Sequence, residues 1–298
     1  MLRFRQHPKM AAVIMWPEPG DPAITHRMRN AHRHARRALG AEPAADTWDA
    51  WGWHGRTLGQ PVTTGQRAGW LRLASAPTGR VATLFWNGAI DADRALPPSV
   101  QRPRLLCWHD WTDEKWTYRA ELYEHTQIPT ISPYPTLAAV PTLPDSWWNA
   151  LRVTLHTLAT VPTGRVTADP GFLTWALPHY LGDIDLVPDL PWTTAHGDLH
   201  FANLCAPLCV LDWEGWGKAP AGYDAAVLHS HSLLVPSAAA KIRHELAEHL
   251  NTPEGQFAEL AVIVELLHAA THDGQTKLTE PLRTRAETLL RRPIPRPS

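Results

Sequence analysis

The feature that most constrains this chain is a pair of short polar motifs, His196-Gly197-Asp198-Leu199-His200-Phe201-Ala202-Asn203 and Leu211-Asp212-Trp213-Glu214. Asp198 and Asn203 lie five positions apart on a predicted loop, and Asp212 ends the apolar run 208–211, which predicts a short strand. Asp, Asn and Gly are common in turns, so a lone His-Gly-Asp would mean little. Three such elements in this order favour phosphoryl transfer, in which one carboxylate accepts a hydroxyl proton while an amide and a second carboxylate hold Mg²⁺.

The motifs resemble those of the aminoglycoside phosphotransferase and choline kinase family of small-molecule kinases. The resemblance covers residues 192–235 and includes the run Ala221-Gly222-Tyr223-Asp224-Ala225-Ala226. Carried over by position, it implies that Asp198 is the catalytic base and that Asn203 and Asp212 are Mg²⁺ ligands. It also implies that Asp224 supports the loop by hydrogen bonding. His196, the second candidate for the catalytic group, is expected to position the loop rather than to perform chemistry.

The fold that this resemblance implies is a bilobal, protein-kinase-like α+β fold. It has a small antiparallel-sheet N-terminal lobe and a larger, mainly helical C-terminal lobe, with nucleotide bound between them. The predicted elements agree, since a sheet-rich half precedes a helix-rich half. We divide the chain into an N-terminal extension and linker over 1–24, an N-terminal lobe over 25–126 and a catalytic lobe over 127–298. A disordered, Pro-rich tail is expected from about residue 292.

Local patterns predict the elements of both halves. Alternating apolar residues between Gly and Pro breakers predict strands at Thr57–Thr63, Gly69–Ser75, Arg104–Trp111 and Trp116–Leu122. Helical spacing predicts helices at Thr25–Leu39, Trp86–Leu96, 145–160, Ala238–Leu250, Glu254–Thr271 and Pro281–Arg292. Asp145 and Ser237 are the expected N-caps of the third and fourth. The basic first helix is expected to pack, solvated, on the N-terminal lobe rather than to act as an anion-contacting arm.

The N-terminal lobe departs from the kinase pattern because it contains no lysine between Lys9 and Lys115. In kinases a strand lysine binds the α- and β-phosphates and pairs with a helix glutamate. Arg72 is the best substitute, because its leucine neighbours share one face of a predicted strand and Arg72 projects from the other. Asp91 or Asp93 on the predicted helix would then be its partner. The competing interpretation makes Arg72 a solvated strand residue and leaves the phosphate grip impaired.

Further contacts to nucleotide and substrate are expected at a few positions. Backbone contacts to the base are expected in Glu121-Leu122-Tyr123-Glu124, which follows a predicted strand, so Glu121 and Tyr123 are candidate nucleotide-binding residues. Most of the fifteen tryptophans are expected to pack in the core. Trp213 and Trp216 are the expected exceptions, and together with Glu214 they are assigned to the substrate side.

Composition excludes several classes of function. With 28 basic and 29 acidic residues, the net charge of −1 gives no global attraction to nucleic acid or to an anionic membrane. It also argues against a polycationic acceptor, which would favour a broadly acidic cleft. Local charge can still differ, because the stretch 183–224 sets seven carboxylates against one basic residue, Lys218. These are Asp183, Asp185, Asp189, Asp198, Asp212, Glu214 and Asp224.

The cysteine content and the apolar runs bear on the compartment. Three cysteines give no disulfide framework and predict a cytoplasmic protein, with Cys205 and Cys209 facing one another across a hairpin. The apolar run Met10–Trp16 follows three basic residues but is too short for a secretion signal. No stretch approaches the ~20 apolar residues of a membrane span.

The leading hypothesis is a Mg²⁺-requiring kinase that transfers the γ-phosphoryl group of ATP or GTP to a hydroxyl of a metabolite or antibiotic. The missing lysine motivates a second hypothesis, a non-catalytic kinase-like protein with a nucleotide-binding or regulatory role. Such a protein has less need of Asp198, Asn203 and Asp212 together. A transferase that uses another donor on the same fold is a third class, which nothing in the sequence selects. The expected partners are therefore a nucleoside triphosphate and a small hydroxylated substrate, with no nucleic acid and no membrane.

Overall fold

The computed structural model describes residues 16–184, 190–273 and 277–296, and these form a sheet-rich lobe followed by a helical lobe. Each lobe has its own cluster of buried apolar side chains. Most of the run Met10–Trp16 lies outside the described residues, as do Asp185 and Asp189 of the acidic stretch. Among the described helices, none has both the length and the hydropathy that crossing a membrane requires.

An antiparallel sheet forms the N-terminal lobe within the described residues. Its strands are β1 (Glu42–Pro43), β2 (Ala50–Trp51), β3 (Thr57–Thr64), β4 (Arg67–Pro77), β5 (Leu105–Thr112) and β6 (Trp116–Glu124). Their order is β1-β3-β4-β6-β5, with β2 also paired to β3. The four predicted strands are all present, with ends within two residues of the prediction. Leu71 and Leu73 of β4 are fully buried, so Arg72 projects from the opposite face of the strand, as predicted.

Helix α1 (Pro22–Ala38) packs on this sheet. Met28 and Ala35 are fully buried in the cluster that the sheet contributes, while the arginines of the helix remain outside it. The prediction of a linker over 17–24 is wrong at its end, because the Asp21 carboxylate accepts a hydrogen bond from the backbone of Ala23 at 2.8 Å and starts the helix at Pro22. The basic helix is therefore part of the N-terminal lobe.

Helix α2 (Thr83–Ala95) lies between β4 and β5 in sequence but joins the core of the C-terminal lobe. Ala92 and the following Leu96 belong to the buried cluster of that lobe. The helix also approaches the segment after Asp212 so closely that a Cβ on Gly88 would lie 1.8 Å from the Glu214 carbonyl oxygen. A boundary between lobes drawn at residue 126 therefore separates α2 from residues with which it packs.

The C-terminal lobe combines helices with one two-stranded sheet. Within the described residues it contains α3 (Asp145–Ala159), α4 (Pro170–Leu181), β7 (Trp192–Ala195), β8 (Gly217–Pro220), α5 (Tyr223–Ser230), α6 (Pro236–Glu245), α7 (Ala247–Leu250), α8 (Pro253–Asp273) and α9 (Thr279–Leu290). Leu260, Ala261 and Val264 of α8 are buried, as their helical spacing predicts. The same buried cluster includes Leu199 and Phe201, so the 196–214 segment packs on the helices of this lobe.

Two predicted helix starts in this lobe are wrong. Asp145 is the first residue of α3 rather than its cap, which is Pro144. Ser237 lies inside α6, which begins after Val235, and the predicted helix Ala238–Leu250 is split into α6 and α7 at Leu246. In both cases Pro occupies a position at the start of the helix that suits its fixed φ.

Two further predictions concern the residues around Cys205 and Cys209. The run 208–211 is not a strand: it contributes an isolated bridge between Leu204 and Val210, and Cys205 donates its backbone hydrogen bond to Cys209 at 3.0 Å. The predicted hairpin with facing cysteines is thereby confirmed.

The expected disorder from residue 292 does not extend over 292–296, because Ile294 is buried and Arg283 donates to the Pro295 carbonyl. Residues 297–298 lie outside the described residues.

Candidate functional site

A cavity of about 660 Å³ opens between the two lobes. Its walls come from the N-terminal sheet, the segment that follows β6, and the two polar motifs of the C-terminal lobe. The predicted site residues that line it are Arg72, Tyr123, Asp198, Asn203, Asp212, Trp213 and Glu214. The structure therefore brings the three residues of the phosphoryl-transfer pattern to a single cleft.

Hydrogen bonds to Asp224, at the start of α5, fix the loop that carries Asp198. The Asp224 carboxylate accepts hydrogen bonds from the backbone N–H groups of His196 and Gly197, at 2.8 and 3.0 Å. Gly197 has a φ of 90°, and a Cβ there would lie 2.3 Å from the Thr167 hydroxyl, so the turn requires glycine. Asp224 lies outside the cavity and acts on the loop through the backbone.

His196 is buried and does not reach the cavity. Its Nε2 lies 2.8 Å from the Leu211 carbonyl oxygen, and the Asp198 N–H donates to its Nδ1 at 3.2 Å. Burial lowers the pKa of His196, which favours the neutral ring that these two contacts require. His196 thus ties the 198 loop to the residue before Asp212, and its assignment to the catalytic group is not supported by this position.

Asp198 faces the open cleft, with 58 % of its side chain exposed. Its Oδ2 lies 3.3 Å from the Nε2 of His200, a buried histidine whose ring meets that of His231 edge-on. The surrounding protein disfavours the charged carboxylate, but His200 outweighs this effect and holds the pKa of Asp198 well below its usual range. The carboxylate is therefore ionised at neutral pH and free on its cleft side.

Asn203 and Asp212 both line the cleft and carry side-chain oxygen atoms. The Asn203 amide nitrogen donates to the Asp198 carbonyl at 2.9 Å, which leaves Oδ1 without a donor among the described residues. The Asp212 carboxylate also accepts no hydrogen bond within the described residues, and its backbone has a φ of 59°. Desolvation by the surrounding protein raises the pKa of Asp212, while Arg72 opposes that rise. Unpaired amide and carboxylate oxygens in a cleft with excess negative charge suit a hard divalent cation.

Arg72 bridges the two lobes. Its Nη1 donates to Glu121 Oε2 at 3.1 Å within the sheet, and its Nη2 pairs with Glu214 in the C-terminal lobe. The prediction that Asp91 or Asp93 would hold Arg72 is wrong. Asp91 instead accepts from Arg165 at 2.7 Å in the other lobe, and Asp93 pairs with nearby arginines of its own lobe.

The prediction that Glu121 and Tyr123 follow a strand is wrong. Both lie inside β6, between β4 and β5, so their backbone groups are engaged in the sheet. The Tyr123 hydroxyl donates to Glu121 Oε2 at 2.9 Å, and burial raises the pKa of Glu121 even beside Arg72. Their side chains therefore support Arg72, while the residues that border the cavity after the strand include His125 and Thr126.

The tryptophans around the cleft differ from the prediction. Trp216 is buried and donates its indole N–H to the Gly88 carbonyl at 2.9 Å, so it packs α2 on the C-terminal lobe and does not line the cavity. Trp213 does line the cavity, although its side chain is largely buried and donates to the Val210 carbonyl. Sequence reasoning missed the tryptophans of the other lobe that line the cleft, which are Trp16, Trp51, Trp53 and Trp70.

The position of Trp70 in the cleft could have been predicted from the sequence. It lies two positions before Arg72 on β4, and residues two apart in a strand share a face. Its ring packs between those of Trp48 and His125, with centroids 5.3 and 5.8 Å away. An aromatic face therefore lies next to Arg72 in the same cleft.

No protein-family model matches the chain, and no curated protein sequence matches it. Solved structures do match. Aminoglycoside phosphotransferase APH(4)-Ia superposes with a TM-score of 0.60 at 13 % identity, over 91 % of this chain and 99 % of that one. A microcompartment-associated aminopropanol kinase gives a TM-score of 0.54 at 14 % identity, over 87 % of this chain and 94 % of that one.

A third similar structure is spectinomycin phosphotransferase APH(9)-Ia, with a TM-score of 0.51 at 10 % identity, over 81 % of this chain and 88 % of that one. It is in complex with ADP and spectinomycin. At these identities the likeness concerns the fold. The predicted bilobal, kinase-like α+β fold is thereby confirmed.

Proposed function

We propose that this protein is a small-molecule kinase that transfers the γ-phosphoryl group of ATP or GTP to a hydroxyl of a metabolite or antibiotic. The observation that carries the proposal is the meeting of Asp198, Asn203 and Asp212 in one interlobe cleft. Proteins of the same fold support it, since one APH(4)-Ia variant is in a ternary complex with ADP and hygromycin B.

Asp198 is the proposed base. Its carboxylate is ionised and open to the cleft, so an acceptor hydroxyl can donate a hydrogen bond to it. The hydroxyl can pass it a proton as the acceptor oxygen bonds to the γ-phosphorus and the bond from that phosphorus to the departing nucleoside diphosphate breaks. His200 holds one side of the carboxylate, which orients the other side toward the acceptor. A pKa below the usual range makes Asp198 a weak base, and this suits a reaction in which positioning dominates over proton abstraction.

Asn203 and Asp212 are the proposed ligands of Mg²⁺. The unpaired Oδ1 of Asn203 and the unpaired carboxylate of Asp212 are the oxygen donors that this ion prefers. When bound, the ion would neutralise charge on the phosphates. The backbone at Asp212 is left-handed and the preceding residue, Leu211, is tied to His196, so the chain that carries this carboxylate is held in place.

Nucleotide is proposed to bind with its base near Trp70 and His125 and its phosphates near Arg72. The indole face offers stacking that accepts either purine, which leaves ATP and GTP both open. Arg72 is the proposed replacement for the kinase lysine, since a guanidinium can bind phosphate oxygens bidentately. For that role Arg72 would exchange its bond to Glu214 for a phosphate, while Glu121 keeps it in place.

A second function is favoured by one observation, the pairing of Arg72 with two carboxylates. If the phosphates cannot displace Glu214, the protein would bind nucleotide weakly or not turn it over, as a regulatory kinase-like protein would. The kinase is preferred because the free oxygens of Asn203 and Asp212 have no evident use in such a protein.

The test combines binding and turnover. Thermal-shift titrations with MgATP and MgGTP should raise the melting temperature of the wild type, by linkage of binding to folding. Phosphoryl transfer should then be sought by screening hydroxylated compounds, with Asp198→Asn as the inactive control. Stabilisation without turnover on any acceptor, and without nucleotide hydrolysis, would favour the regulatory protein. No stabilisation by either nucleotide would reject both.

A further inference from the structure

Arginine is the cation that lines the cleft within the described residues, at Arg56, Arg72 and Arg102. Two of these guanidinium groups already bind other groups of the protein. Arg72 pairs with carboxylates on both of its sides, and the buried Arg102 donates to backbone carbonyls, among them that of Leu96 at 3.0 Å. The Arg56 guanidinium makes no hydrogen bond or ion pair with any described residue, and its side chain is exposed.

The backbone of Arg56 is nevertheless well fixed. It ends the tight turn that connects β2 to β3, where its N–H donates to the Trp53 carbonyl at 3.1 Å. Its carbonyl accepts from the N–H of Ser75 at 2.9 Å, and Ser75 lies on β4, three residues beyond Arg72. The turn is thus tied to the strand that carries the other cleft arginine, while the Arg56 side chain remains available for a ligand.

Strand pairing places Arg56 near Arg72. Gly59 of β3 lies opposite Arg72 of β4, Thr57 lies opposite Ala74, and Arg56 directly precedes Thr57. Both arginines line the same cavity. The unpaired guanidinium therefore borders the part of the cleft that Arg72 lines.

We infer that Arg56 binds the terminal phosphates of the nucleotide from the β2–β3 turn, next to Arg72, which meets them from the strand. The inference rests on the proposed nucleotide-dependent function. Its physical reason is the charge of the site, since Glu121 and Glu214 already offset the charge of Arg72. A triphosphate needs further positive charge in a cleft that no described lysine lines, and the Arg56 guanidinium forms no ion pair with a described carboxylate.

The test measures how affinity depends on phosphate number. Calorimetry with adenosine, AMP, ADP and AMP-PNP in the presence of Mg²⁺ is compared for wild type, Arg56→Ala and Arg56→Lys, with the guanine series used if GTP binds more tightly. The matched control is Arg67→Ala, which removes an exposed arginine at the far end of β4, outside the cavity. Arg56→Ala should weaken AMP-PNP binding by about tenfold or more and leave adenosine binding unchanged, because a charge-assisted hydrogen bond is lost.

Arg56→Lys should recover part of the loss, since the charge remains but the planar fork does not. Arg67→Ala should match the wild type for every ligand. Equal weakening of adenosine and AMP-PNP by Arg56→Ala would mean a damaged turn and would overturn the inference, as would unchanged AMP-PNP affinity. Failure of the wild type to bind any member of either series would instead reject the proposed function on which the inference rests.

Discussion

Arg72→Ala is the substitution whose effect on stability can be worked out most fully. It removes the guanidinium that lies 3.1 Å from Glu121, a carboxylate only 2 % exposed in the middle of the sheet. Glu121 would keep the Tyr123 hydroxyl as a donor but would lose its neutralising charge. Removing one partner of a buried pair costs roughly 3–5 kcal/mol. Because the Arg72 side chain is 17 % exposed and Glu214 is 29 % exposed, we expect the lower end, about 3 kcal/mol of unfolding free energy near pH 7.

The sign of the pH dependence follows from Glu121. Burial raises the pKa of Glu121 even in the wild type, and the pKa will rise further without Arg72. A carboxyl group whose folded pKa is raised destabilises the fold at pH above that pKa, and the penalty fades as pH falls toward the ordinary value of 4.5. The stability deficit of Arg72→Ala should therefore be larger near pH 7 than near pH 5.

The assay is urea unfolding of wild type, Arg72→Ala, Glu121→Gln and the double variant at both pH values. Glutamine keeps the shape of Glu121 without the charge, so the double variant should be more stable than the two single losses predict, by about 1 kcal/mol or more. Arg67→Ala, on the same strand, serves as the control. The reasoning is refuted if Arg72→Ala shows the same deficit at both pH values and no coupling to Glu121→Gln.

Three other outcomes are expected. Asp198→Asn should lower kcat by about 10²–10⁴-fold while leaving the fold intact; a variant that keeps more than about a tenth of the wild-type kcat on the true acceptor would contradict the base role. Asp212→Ala should weaken nucleotide binding by calorimetry more with Mg²⁺ than without it, and equal weakening would reject the ligand role. Burial opposes ionisation of Glu259, but hydrogen bonds from His229 and Arg285 prevail and lower its pKa to about 2. The stability it contributes is present above its ordinary pKa of 4.5 and is lost as pH falls from there toward about 2, so Glu259→Gln should remove that part of the acid transition in urea unfolding.

The parts of the fold that could be predicted are those decided by neighbouring residues. Alternation along β4 fixes which of its side chains are buried, and the apolar stripe of α8 fixes the face that it buries. The start of α1 was also available in the sequence, since Asp21 followed by Pro22 is a helix cap followed by a residue suited to the first turn. It was missed because Pro and Gly in the preceding residues are typical of a linker.

The candidate site likewise has parts that local sequence patterns predicted and parts that they did not. Motif spacing brought Asp198, Asn203 and Asp212 together, because the intervening loop is short and closes on itself through local bonds such as that from Asn203 to Asp198. The strand period placed Arg72 in the cleft, and the same period would have placed Trp70 beside it. The prediction that residues 121–124 follow a strand was wrong, because β6 continues through Tyr123 and its end depends on pairing with β4 and β5.

The partners of Arg72 show why the remainder could not be predicted from local patterns. Glu121 meets Arg72 because the register of β4 against β6 sets these two residues opposite each other. Glu214 arrives from the other lobe, where α2 and the 212–217 segment are joined by the Gly88 contact. The kinase pattern favours an acid on the helix, but Asp91 is taken by Arg165, which also donates to the Glu214 carbonyl at 3.0 Å. The helix thus anchors the segment that carries Glu214, while the sheet itself supplies the acid that holds the arginine. Because the sheet supports it, the arginine that we propose to bind phosphate keeps its position whether or not the helix moves. Activity should therefore tolerate Asp93→Asn but not Glu121→Gln. Equal losses of activity in both variants, measured by steady-state kinetics, would contradict this division of roles.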